Sequence, residues 1–145
     1  MLMVPGSSVS AGGVTLYIPP DAGVNIDTSV YDLSIDRTFR AGRLASNFVQ
    51  SAVDNDPDFR MLFALGPYHT VICPGATATF ENYVGLAPNA AVEFYGQELD
   101  AAEHFGPYRE WSKIADGVVS SDGETITTTG DGLPVLLSVA IKLAP

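Results

Sequence analysis

The chain contains little cysteine, little histidine and little positive charge. Its 145 residues include one cysteine, two histidines and seven lysines and arginines, against 17 aspartates and glutamates. A single cysteine, Cys73, excludes an internal disulfide and a metal cluster built on several cysteines of one chain. The formal net charge of −10 argues against nucleic acid and anionic membranes as partners, since both require basic surfaces.

Long hydrophobic runs are also missing. No window approaches the roughly 18 consecutive apolar residues of a membrane helix. The apolar start, residues 1–4, is too short for a signal sequence and is followed at once by Pro5 and Gly6. We therefore expect a cytoplasmic protein, or a virion component under the assembly hypothesis below; a single cysteine does not exclude a secreted protein without disulfides.

Motifs for catalysis or cofactor binding are absent from the sequence. There is no Gly-x-Ser-x-Gly elbow and no glycine-rich loop in the frame that binds phosphate. The histidines, His69 and His104, have no second histidine or cysteine at metal-ligand spacing. Cys73 lies four positions after His69, which in a strand places the two about 13 Å apart. We therefore expect a structural His69, a buried Cys73 and no cofactor.

The segment Asp54-Asn55-Asp56-Pro57-Asp58 is the most metal-like run. Its alternating acids resemble the start of a calcium loop. However, Phe59 stands where such a loop needs glycine, and Leu65 stands where it needs a bidentate glutamate. The segment is expected to end a helix, and no metal site is predicted.

The residues that are abundant predict a β-rich fold. Hydrophobic residues make up 46% of the chain, and the 14 glycines and 10 prolines lie between short apolar runs. The last run, Pro134 to Leu143, places an aliphatic side chain at every second residue, which is the period of a strand. Seven or eight such runs at spacings of about 8–12 residues predict a mainly β protein, an antiparallel β-sandwich or jelly roll.

One short helix is predicted around residues 40–53. Leu44, Phe48 and Ala52 recur there at helical spacing, and the acidic turn follows. The rest of residues 14–145 is expected to form a single β-sandwich domain. The small and polar residues before it predict an extended N-terminal arm over residues 1–13.

The first functional hypothesis is a structural assembly protein. A small, acidic, β-rich chain without a recognisable active site suits a virion component such as a phage capsid decoration (cement) protein. The expected partners are further copies of the chain, in a closed symmetric oligomer such as a trimer, and a larger shell. The predicted contact residues are Val4, Val9, Val14, Arg40, Arg43, Phe105, Tyr108 and Trp111.

The second hypothesis is a carbohydrate-binding module or receptor-binding domain. Its aromatic platform would consist of Tyr83, Tyr95, Tyr108 and Trp111, although tyrosine and tryptophan are also enriched in subunit interfaces. A third hypothesis is a small β-sandwich hydrolase or lyase with Glu81 and Glu93 as paired carboxylates, whose separation the sequence does not fix. The lack of a catalytic motif favours a protein that is not an enzyme.

Overall fold

The fold was analysed in a computed structural model that describes residues 2–26, 31, 37–99 and 105–145. Strands dominate this part of the chain. They are β1 (Ser8–Ala11), β2 (Val14–Tyr17), β3 (Gly23–Asn25), β4 (Arg40–Arg43), β5 (Phe59–Gly66), β6 (Val71–Glu81), β7 (Ala91–Gln97), β8 (Trp111–Val119), β9 (Thr125–Thr128), β10 (Leu133–Val135) and β11 (Ser138–Leu143). One helix, α1 (Ser46–Ala52), joins β4 to β5.

All strand pairs are antiparallel. The main path runs β1-β2-β6-β9-β8-β7-β11-β5-β4. The long strand β6 changes partners along its length, because its first half pairs with β3 and β10 and its second half with β2 and β9. The fold is therefore mainly antiparallel β, of the sandwich or jelly-roll class, which confirms the prediction.

The two ends of the sheet approach one another, so the sheet is nearly closed. The turn between β1 and β2 lies against β4, and a Cβ on Gly12 would overlap the carbonyl oxygen of Ala41. Arg43 on β4 forms a 3.1 Å ion pair with Glu81 at the end of β6. Because the sheet folds back on itself, one face is enclosed and the other faces outward.

The enclosed face forms the main core. Phe80 lies between Phe63 and Phe94, with 5.1 Å between ring centroids in both pairs. The C-terminal aliphatic run is buried as predicted at Val139 and Ile141, but it is divided between two strands, β10 and β11, and Leu143 at its end is 42% exposed. Burying a side chain of this size stabilises the fold by roughly 1.5–3 kcal/mol.

The helix is shorter than predicted, because Arg40–Arg43 forms β4 instead of the first helical turn. Pairing with β5 supplies backbone hydrogen bonds there, and Gly42 disfavours a helix. Val49 and Val53 are buried and anchor α1 on the outward face of the sheet, against Phe59 and Leu62. This contact forms a second, smaller core.

The predicted arm contributes a strand to the sheet. Residues 8–11 form β1, which pairs with β2 in a hairpin. Val9 is 1% exposed and belongs to the main core, and Met3 is also buried. Two apolar side chains thus tie this segment to the domain.

Candidate functional site

The outward face of β5, β11, β7 and β8 gathers aromatic and charged side chains. The register places Lys142 opposite Phe59 on one side and opposite Glu93 on the other, and Tyr95 opposite Ala140. Side chains of directly paired residues lie on the same face of a sheet. Residues distant in sequence are therefore neighbours on this surface.

Three aromatic rings form a cluster on this face. The ring centroid of Phe59 lies 5.3 Å from that of Tyr95, in an edge-to-face arrangement, and 6.1 Å from that of Trp111. The ammonium of Lys142 lies 4.6 Å from the centroid of Tyr95 and 5.3 Å from that of Phe59. Such cation–π geometry holds the lysine over the rings, and no carboxylate of the described residues lies within ion-pair distance of it.

An open groove of about 540 Å³ lies over this cluster. We call it the aromatic groove and define it by Phe59, Tyr95, Trp111 and Lys142. The other polar residues that line the groove carry charges of both signs; they are Asp54, Asp56, Arg109 and Glu110. The groove therefore combines ring faces with hydrogen-bond donors and acceptors.

The indole of Trp111 holds an unused donor. Its Nε1 is buried and has no hydrogen-bond acceptor in the described part of the chain. An unsatisfied buried donor costs about 1–3 kcal/mol, and such groups are rare in folded proteins. Trp111, a residue of the groove lining, therefore carries a buried polar atom whose hydrogen-bonding capacity the described part of the fold leaves unfilled.

Neighbouring charges fix the orientation of the Tyr95 ring. The Tyr95 hydroxyl donates to Glu93 Oε1 at 3.2 Å, and Lys113 holds Glu93 by an ion pair of 3.1 Å. Hydrogen bonds to Asp116, first, and to Glu93 raise the pKa of Lys113 above its ordinary value. Lys113 is charged at neutral pH. Its ion pair with Glu93 and the hydrogen bond from Tyr95 to Glu93 together hold the Tyr95 ring in place.

A second open groove of about 590 Å³ lies beside α1. We call it the helix groove and define it by Gln50, Phe59, Arg60 and Tyr83. Tyr83 has a structural part here, because its hydroxyl donates to the Leu44 carbonyl at 2.8 Å and accepts from the Leu62 N–H at 3.3 Å. Burial raises the pKa of Tyr83 above its ordinary value, more than the Leu62 N–H and the charge of Arg43 lower it.

The structure divides the four aromatic residues predicted to bind sugar. Tyr95 and Trp111 meet in the aromatic groove, whereas Tyr83 lies in the helix groove. Tyr108 is 44% exposed, and its ring lies 5.2 Å from the guanidinium carbon of Arg109, a residue of the aromatic-groove lining. Two of the four residues therefore share one site, and a third borders it.

The residues predicted to contact partners do not form one surface. Val9 and Val14 are both 1% exposed, so their side chains pack in the core and cannot reach another molecule. Val4 is exposed, and Arg40 is exposed on the edge strand β4. Phe105 is half-buried and packs on His69, with 5.5 Å between ring centroids.

Glu81 and Glu93 do not form a catalytic pair. Glu81 lies on β6 and Glu93 on β7, and strands β9 and β8 lie between them. Three strand spacings amount to about 14 Å, which exceeds the separation that either glycosidase geometry requires. Each carboxylate is also engaged by its own cation, Arg43 or Lys113.

A buried polar cluster surrounds Glu98, and no motif in the sequence predicts it. The Glu98 side chain is fully buried and accepts hydrogen bonds from His69 Nε2 and Phe105 N at 3.3 and 3.2 Å, with the Tyr68 hydroxyl at 3.4 Å. These bonds secure the start of the segment that follows β7. His69 is thus held by a buried carboxylate, whereas His104 lies outside the described residues.

Cys73 and the acidic turn are the remaining sequence candidates. Cys73 is exposed, which corrects the prediction of a buried thiol, because Cys73 and Pro74 occupy two successive outward positions at the irregular start of β6. The acidic turn follows α1 as predicted, and Asp56 Oδ1 accepts a hydrogen bond from Asp58 N. Within residues 2–26, 31, 37–99 and 105–145, no three metal-binding side chains converge.

Comparisons of the chain with protein-family models, with curated proteins and with solved structures gave no match. In the described ranges, no helix has the length and apolar character needed to cross a membrane. The site is therefore interpreted from its own geometry.

Sequence reasoning missed Phe59, Lys142 and Arg109 as members of the groove. Phe59 directly follows the acidic turn, and an aromatic residue at the start of a strand gives no signal of its own. Lys142 interrupts the last apolar run, which indicated only that one face of this strand was wet. Their association depends on the register of β5 with β11, which local sequence does not encode.

Proposed function

We propose that this protein is a carbohydrate-binding module and that the aromatic groove is its sugar-binding site. The observation that carries the proposal is the convergence of Phe59, Tyr95 and Trp111 in an open groove lined by charges of both signs. A sugar ring has an apolar C–H face and an edge of hydroxyl groups. The partly exposed rings of Tyr95 and Trp111 offer a surface to the first, with the 5% exposed Phe59 packed behind them, and the charged side chains offer partners to the second.

The charges of both signs support a ligand rich in hydroxyl groups. A hydroxyl both donates and accepts, so it can bond to the carboxylates of Asp54, Asp56 and Glu110 as well as to the cations of Arg109 and Lys142. A purely apolar ligand would leave these groups without partners, at a cost in affinity. The mixed lining therefore favours a polyhydroxylated ligand over a lipid.

Lys142 and Trp111 suit this ligand in different ways. The long Lys142 side chain can swing off the Tyr95 ring and donate to a sugar oxygen while the sugar takes its place on the ring. The Trp111 N–H supplies a donor that no described side chain or carbonyl uses.

The test is a polysaccharide array that displays cellulose, xylan, mannan, starch, chitin and peptidoglycan fragments. We expect specific binding to at least one of these polymers and a loss of about tenfold or more in the variant Trp111→Ala, since stacked aromatic anchors dominate binding sites of this kind. The matched control is Tyr17→Ala, which removes an exposed aromatic ring from β2. Binding to none of the polymers, or equal binding by both variants, would contradict the proposal.

A second candidate function is the assembly role, with the chain as a virion component such as a decoration protein. The observation that favours it is a group of exposed apolar side chains at the N-terminal end of the fold. Leu2, Val4 and Tyr17 are 50%, 53% and 43% exposed. A contiguous exposed apolar patch is typical of an interaction surface, and this second proposal takes the three side chains to belong to one.

Light scattering tests the assembly role. If these residues mediate self-association, the mass in solution should be that of an oligomer and should fall to that of a monomer in the triple variant Leu2→Ser, Val4→Ser, Tyr17→Thr. These substitutions leave the buried Val9 in place, so the domain should stay folded. A monomeric wild-type protein would contradict self-association.

A further inference from the structure

The two grooves share a wall residue. Phe59 lines both the aromatic groove and the helix groove, and among the residues that the structure describes it alone does so. We propose that the two grooves form one extended site that binds an internal stretch of a polysaccharide chain, not a terminal sugar or a disaccharide. This inference rests on the proposed carbohydrate-binding function.

The wall between the grooves is fixed. Buried Val49 and Val53 hold α1 against Phe59, and Gln50 Nε2 donates to the Phe59 carbonyl at 2.9 Å. The hydrogen bond from Asp58 N to Asp56 Oδ1, 3.0 Å long, shapes the turn that leads into β5. A ligand would therefore meet two preformed grooves and would not have to order a loop between them.

The size of the grooves argues for several sugar units. Each groove has a volume of more than 500 Å³, within the range of roughly 300–1,000 Å³ that holds a drug-sized ligand. Both are open to the surface and not enclosed. The combined site therefore suits a chain that enters at one groove and leaves at the other.

The helix groove can bind sugar hydroxyls. Arg60 is exposed there, and its guanidinium has no carboxylate within ion-pair distance in the part of the chain that the structure describes. Ser46 and Gln50 add a hydroxyl and an amide to the same lining. These groups can donate to and accept from the hydroxyls of a neutral chain.

Binding should therefore depend on chain length. The experiment is a fluorescence titration of the single tryptophan, Trp111, with cello-, xylo-, manno- and chito-oligosaccharides of two to eight units. In the series that binds, we expect affinity to rise about tenfold or more between two and six units. Once one part of a longer oligosaccharide is bound in the aromatic groove, its binding to the helix groove is intramolecular.

A variant of the helix groove separates the two parts of the site. Arg60→Gln should remove most of the gain from chain length and leave the affinity for the disaccharide unchanged. The matched control, Arg40→Gln, removes an exposed arginine from the edge strand β4 and should keep the full gain.

The outcomes distinguish this inference from the function on which it rests. Binding that is equally strong for two and for six units, or a gain that survives Arg60→Gln, would overturn the extended site while the aromatic groove remains a sugar site. A failure of all four series together with a negative polysaccharide array would overturn both.

Discussion

Gly12 illustrates how a single residue can control closure of the sheet. Its φ of +52° lies in the left-handed region, and a Cβ would overlap the Ala41 carbonyl oxygen on β4. We expect Gly12→Ala to lower the free energy of unfolding by about 2–4 kcal/mol, because the backbone of one sheet edge must move away from the other. Urea denaturation measures this change.

The matched control is Gly130→Ala. Gly130 has a similar φ of +62°, but open space surrounds its Cβ position. It should lose only the strain of the left-handed conformation, about 1 kcal/mol. Equal losses in the two variants would show that the contact with Ala41 has no effect on stability.

Tyr83 is expected to make stability dependent on pH in the alkaline range. Since burial raises its pKa in the folded state, the folded protein retains the phenol proton at a pH where the unfolded chain loses it. The stabilisation is complete below about pH 10, the value for an unperturbed tyrosine, and is lost as pH rises through the folded-state pKa. Denaturation of Tyr83→Phe should show a loss of about 1–2 kcal/mol at pH 7 that shrinks above pH 10.

Tyr17→Phe serves as the control for this measurement. Tyr17 is 43% exposed on β2, so loss of its hydroxyl should change stability little at any pH. A difference between wild type and Tyr83→Phe that stays constant from pH 7 to pH 11 would contradict the role assigned to burial.

At the scale of elements, β1 decides whether residues 1–13 are a dispensable arm or a structural part of the domain. Deletion of residues 1–13 removes the hairpin partner of β2 and the buried Val9. We expect the truncated protein to lose cooperative unfolding or to melt far below the full chain in a thermal scan, because β2 then becomes an unprotected edge over an incomplete core.

Point variants in β1 provide a milder version of the same test. Val9→Ala should cost about 1–3 kcal/mol through the cavity it leaves, whereas Ser10→Ala, at an exposed position of the same strand, should change stability by less than about 0.5 kcal/mol. An unchanged melting temperature after the deletion would contradict the structural role of β1.

Elements with regular alternation could be predicted from the sequence, and elements that depend on pairing could not. The alternation of Val139 and Ile141 identified β11 without further information. Arg40–Arg43 was assigned to a helix because Leu44 and Phe48 extend a helical pattern, and only pairing with β5 makes it a strand. The edge strand β1 was missed because a segment of glycines and serines carries one apolar side chain, Val9.

At the scale of the whole molecule, the curved sheet has an enclosed face, which stabilises the fold, and an outward face, which we propose binds the ligand. The enclosed face contains the phenylalanine core, and the outward face of β5, β7, β8 and β11 holds the aromatic groove. The sequence identified Tyr95 and Trp111 as potential sugar contacts from residue type alone. It could not place Phe59 and Lys142 beside them, because their proximity arises from strand order and register.

The most direct test of the account uses the single tryptophan of the chain. In a ¹⁵N–¹H correlation spectrum, Trp111 gives the one indole N–H signal, which reports on the groove itself. Titration with the tightest-binding oligosaccharide of the four series should shift this signal, because the sugar stacks on the ring and accepts from its N–H. A bound oligosaccharide that leaves the indole signal unmoved would contradict the assignment of the aromatic groove as the binding site.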